Sequence, residues 1–97
     1  MQYEGMFVLP RLARIDHSQG QLAEALILHG GNLKEMSEAL GISYPTLKKR
    51  LGELSSRLAE LKSEDDAHIE RILKEIELGK IDAEEGIRMI REINHEL

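Results

Sequence analysis

Leu47, Leu51, Leu54, Leu58 and Leu61 fall at spacings of four, three, four and three residues. A strand cannot use that rhythm, because its side chains alternate faces every two residues; a helix gathers all five on one side. The seam therefore commits the middle of the chain to a helix with one apolar face. The packing partners are restricted as well. Tyr3, Phe7 and Tyr44 are the only aromatic residues, so the core must come from Leu, Ile, Met and Ala, a mixture that favours helices over sheets. The 97 residues suffice for one compact domain or a small domain with a helical appendage.

Start and stop signals divide the flanking sequence. Asp16 with Gln19 three residues later predicts a capped helix carrying Leu22, Ala25, Leu26 and His29, stopped by Gly30 and Gly31. Asn32 with Glu35 starts a second, shorter helix whose face is Leu33, Met36, Ala39 and Leu40, ended by Gly41. Ser43 caps the helix that holds the leucine seam, and Pro45 sits in its first turn, where a missing N–H costs little. Ser63 with Asp66 reads as a further cap, giving a fourth helix striped by Ile69, Ile72, Leu73 and Ile76 and closed by Gly79. Asp82 with Glu85 starts a fifth, carrying Ile87, Ile90, Ile93 and Leu97. The expected architecture is all-α. It comprises a short extended N-terminal arm over residues 1–15, a helix-turn-helix domain over 16–62 and a C-terminal helical hairpin over 63–97. The hairpin is too small to stand alone and is expected to serve oligomerisation or partner contacts.

The segment from Asn32 to Leu54 carries the functional expectation. A short capped helix, a three-residue turn containing Gly41 and a second helix opening on Ser43 form the pattern of a helix-turn-helix, whose second helix enters the DNA major groove. With the leucine seam inward, Lys49 points away from it, Thr46 and Arg50 flank one side and Lys48 the other. Such cations donate to guanine edges or neutralise phosphate. Ser43, Tyr44 and Asn32 are candidates for backbone-positioning contacts. Charge is segregated to match. Residues 44–62 hold five Lys/Arg against two Asp/Glu, whereas 63–97 hold five against eleven, in a chain of net charge −5.

The run "GNLKEMSEALGISYPTLKKRLGEL" resembles the helix-turn-helix of Fis-type and sigma-region-4-like DNA-binding domains, with Asn32, Leu40, Gly41, Ile42, Ser43, Thr46, Leu47 and Leu51 matching their pattern. From Tyr3 to Leu61 the chain is similar to the bacterial domain-of-unknown-function 2089 family, which pairs a zinc ribbon with a "GNLKE…LGISYPT" helix-turn-helix. This sequence has no cysteine, so either the ribbon has been removed or this member never had one, and zinc is not carried over. The resemblance implies a transcription regulator. "IERILKEIELGKIDAEEGIRMI" resembles short C-terminal hairpin modules of the SHOCT type.

Other chemistry finds little footing. His17, His29, His68 and His95 form no ligand pair on one helix, and the paired acids Asp65/Asp66 and Glu84/Glu85 read as first-turn capping. No nucleophile–base set, phosphate-binding loop or dinucleotide fingerprint occurs, so neither enzymatic activity nor a cofactor is expected. No apolar run reaches the length of a membrane span. The expected protein is a cytoplasmic homodimer on double-stranded DNA. The alternative is a protein–protein adaptor acting on transcription machinery without DNA readout. The leucine seam can serve the core or a two-heptad dimer contact before Asp65 interrupts it.

Overall fold

The computed structural model describes residues 9–94, and among these the chain is all-α, with no strand. Most of the arm expected over 1–15, including Tyr3, Phe7 and Val8, lies outside the described residues, as do His95 and Leu97. Arg11–Ala13 form a single 3-10 turn.

Helix α1 spans His17–Leu28 and begins as the sequence predicts: the Asp16 carboxylate accepts from the Gln19 N–H at 2.7 Å, and the Gln19 side chain accepts from the Asp16 N–H at 3.4 Å. Helix α2 spans Leu33–Leu40. Its cap differs from the expected reciprocal box. Asn32 Oδ1 accepts from the Glu35 N–H at 3.1 Å, but Glu35 answers the Asn32 side-chain amide at 2.8 Å rather than the backbone. At the end of α2, Gly41 adopts φ +69°. Its N–H donates to the Glu38 carbonyl and that of Ile42 to the Ser37 carbonyl, so two carbonyls that a helix terminus leaves open are satisfied.

Helix α3 runs Tyr44–Glu77, 34 residues without a break. This corrects the expected start of a new helix at Ser63. Asp66 does not cap; it pairs with Lys62 at 3.0 Å one turn earlier, across the anticipated boundary. Asp65 does not interrupt the seam but occupies it. It is 4% exposed, at the position four residues beyond Leu61 and seven before Ile72. A carboxylate is admitted there because Arg11 Nε lies 3.3 Å from its Oδ2, a charge contact not aligned as a hydrogen bond. The described residues therefore hold four α-helices where five were expected. Helix α4 spans Ala83–Asn94, with Glu85 paired to Arg88.

The chain divides into two compact units, with the boundary inside α3. Residues 12–59 hold α1, α2 and the first half of α3 around Met36 and Leu47, both fully buried, and Leu54. The other unit joins residues up to Arg11 with residues from Glu60 onward. Leu61, Ile72 and Ile93 are buried there, and α4 approaches α3 at Gly86, where a Cβ would stand 2.3 Å from Ile76 Cδ1. The leucines at 47, 54 and 61 are thus buried within this single chain, and the seam serves its core.

Candidate nucleic-acid interface

The turn Gly41–Ser43 delivers the chain from α2 into α3, and Ser43 starts the new helix. Its hydroxyl oxygen accepts from the Thr46 N–H at 3.3 Å and donates to Thr46 Oγ1 at 2.9 Å. Ile42 is half-buried, and Leu47 anchors the inward side of the first turns. Those two contacts fix the rotation of α3, so the orientation of every other side chain at its start follows.

With Leu47 inward, Lys49 stands about 200° round the helix and points to solvent. Lys48 lies on one flank, its ammonium 5.8 Å from the centroid of the Tyr44 ring, which is itself 47% exposed. Arg50 lies on the opposite flank. It lines a cleft of about 440 Å³ with Asp16 and Gln19 from the start of α1, Leu40 of α2 and Glu53 of α3. The three consecutive cations therefore face three directions. All are exposed, and no carboxylate among the described residues pairs with any of them. Lys48 and Lys49 share the solvent side with Tyr44, whereas Arg50 leans toward α1.

The polar candidates divide in the same way. Ser43 and Thr46 are exposed but bonded to each other. Asn32 is exposed with both side-chain functions engaged by Glu35. Its role is that of a cap that holds α2.

One residue of this surface was not singled out from the sequence. Gly52 lies on the outward side of α3 one turn beyond Lys48 and Lys49, it is exposed, and a Cβ added there would meet nothing within 4 Å. A glycine in an exposed helix interior costs up to about 1 kcal/mol relative to alanine. Here that cost leaves a bare strip of helix backbone beside the lysines, where another surface can come close. The signal was available, since packing gives no reason for a glycine at that point of a leucine seam.

Among the described residues no group of acids and histidines is arranged to hold a metal, and no helix is long and apolar enough to cross a membrane. Residues 15–60 match the family model described as "Domain of unknown function (DUF2089)-HTH". The match covers α1, α2 and the start of α3 and ends before the C-terminal hairpin. No curated protein and no solved structure matches the chain.

Proposed function

Residues 15–60 of this chain match the model of the domain-of-unknown-function 2089 family of helix-turn-helix domains, and from that premise we propose that the protein is a transcription regulator that binds double-stranded DNA. The first turns of α3 enter the major groove, and the protein works as a cytoplasmic homodimer and not as an enzyme. The observation that carries this reading is the free cationic start of α3. Lys48, Lys49 and Arg50 are exposed and form no ion pair among the described residues, on a chain of net charge −5. An acidic protein that leaves three adjacent exposed cations without an ion pair among its described residues has a surface suited to a polyanion.

Within that surface the roles differ. Lys49, outermost, reaches base edges or phosphate. Lys48, held over the Tyr44 ring, is placed for phosphate. Arg50 contacts the duplex from the flank nearest α1, with Ser43 and Thr46 positioning the backbone around it and Asn32 holding α2 as its cap. A dimer presents two such helices about 34–36 Å apart if they occupy successive major grooves on one DNA face.

The test is a titration of mixed-sequence duplex at several salt concentrations. The expected result is a negative slope of log affinity against log salt, shallower by about 0.9 in Lys49→Ala if that residue neutralises one phosphate. Absence of duplex binding at low salt overturns the reading. In that case the same cations would serve an acidic surface of transcription machinery, and capture from nuclease-treated lysate would retain the partner.

A further inference from the structure

Helix α1 has no fully buried residue. Its outer side forms an apolar groove with Leu12, Ile15, Ala23, Ile27 and Leu28 around Gly20 and Glu24. Leu12 is 54% exposed, Ile27 69% and Leu28 76%. Exposed aliphatics scattered singly need no explanation, but three lining one groove mark a contact surface. All of these residues belong to the unit formed by residues 12–59.

The groove offers features that a second copy of α1 can match. Gly20 is a notch, because a Cβ there would meet nothing within 4 Å. At 100° per residue, His17, Glu24 and Leu28 share one stripe of α1, and Gly20, Ala23 and Ile27 the adjoining one. Two copies of α1 laid antiparallel can cross in several registers, and charge chooses among them. A two-fold axis near Glu24 would bring two carboxylates together, which is unfavourable. An axis beside Gly20 places Glu24, about four residues on one side, level with His17 of the partner subunit, about four residues on the other. The ring N–H of that histidine can donate to the carboxylate. Both side chains are exposed and have no partner among the described residues. In that register Ile27 and Leu28 reach the far end of the partner's groove, floored by Leu12 and Ile15.

We propose that this face of α1 is the dimer surface of the protein, with α1 crossing its copy at Gly20, reciprocal Glu24–His17 contacts beside the crossing and Ile27 and Leu28 packed at both ends. Such a contact is isologous and closed, so it gives a dimer and not a chain of subunits. The proposal rests on the dimeric form of the DNA-binding reading and assigns its interface.

Sedimentation equilibrium of the full chain, without DNA, tests it independently of duplex binding. Gly20→Leu fills the notch, its Cβ entering open space, and removes a helix-weakening glycine, so it should raise helicity while weakening the dimer. Leu28→Glu, at a site already open to solvent, should raise the dissociation constant by about a hundredfold. Glu24→Arg should weaken association, and adding His17→Glu should restore it by reversing the pair. Far-UV circular dichroism verifies that each variant is folded. A wild-type chain that stays monomeric at every soluble concentration overturns the proposal, including the case where its own residues 1–8 occupy the groove. So does a dimer indifferent to both Gly20→Leu and Leu28→Glu, which would be built on another surface.

Discussion

Gly86 shows how much one residue decides. It is buried where α4 meets α3, and an added Cβ would stand 2.3 Å from Ile76 Cδ1 and 2.7 Å from Cγ1. Alanine has the higher helix propensity by about 1 kcal/mol, but forcing a methyl into a filled site costs about 1–3 kcal/mol. The overlap with two atoms of one side chain makes the second term the larger. Gly86→Ala should therefore destabilise the chain by up to about 2 kcal/mol in urea unfolding, and Ile76→Val, which removes Cδ1, should recover part of the loss in the double variant. Sequence reading left two possibilities for this glycine, close approach or mere tolerance, and the contact with Ile76 decides for the first. Asp65 was less legible. An acid beside a serine and two further acids looks like a helix start, and the sequence does not show that Arg11, 54 positions away in the chain, stands against this carboxylate in the apolar seam.

At the level of elements, the helix boundaries set by local chemistry were readable and the one set by distant contacts was not. Asp16, Asn32 and Ser43 cap α1, α2 and α3 through their own side chains, and Gly41 ends α2 with φ +69°. These are interactions within a few residues, so the sequence states them directly. Ser63–Asp66 has the same local signature, yet α3 continues through it because Leu61, Asp65 and Ile72 remain on the inward side. Tertiary packing overrode a capping preference worth about 1 kcal/mol. The two readings separate cleanly at residue 64. If Ser63 capped a new helix, Glu64→Pro would occupy its first position and be tolerated. In an unbroken helix the same change removes a backbone hydrogen bond and should cost about 3 kcal/mol or more, read as loss of helical signal and a lower unfolding midpoint.

Taken as a whole, the molecule has its net-positive stretch in residues 44–62 and most of its acids after it, and that division was visible in the residue counts before any fold was known. Periodicity also predicted which of Lys48, Lys49 and Arg50 points outward. It could not show that Arg50 lines a cleft with Asp16 and Gln19, because that arrangement depends on how α1 packs, and α1 carries apolar residues on more than one side. The exposed groove on α1 was hidden for the same reason: nothing in the sequence separates Leu12, Ile27 and Leu28 from core residues, and the structure leaves them in solvent. The continuity of α3 has a further consequence. One of the two passages of the chain between its compact units lies inside a helix whose amides are internally bonded, and so that passage offers no loop for an enzyme to enter. Limited digestion should spare residues 59–60 and cut first at the glycine turns, Gly30–Gly31 and Gly79, releasing fragments that keep α3 whole; early scission near residue 60 would contradict it.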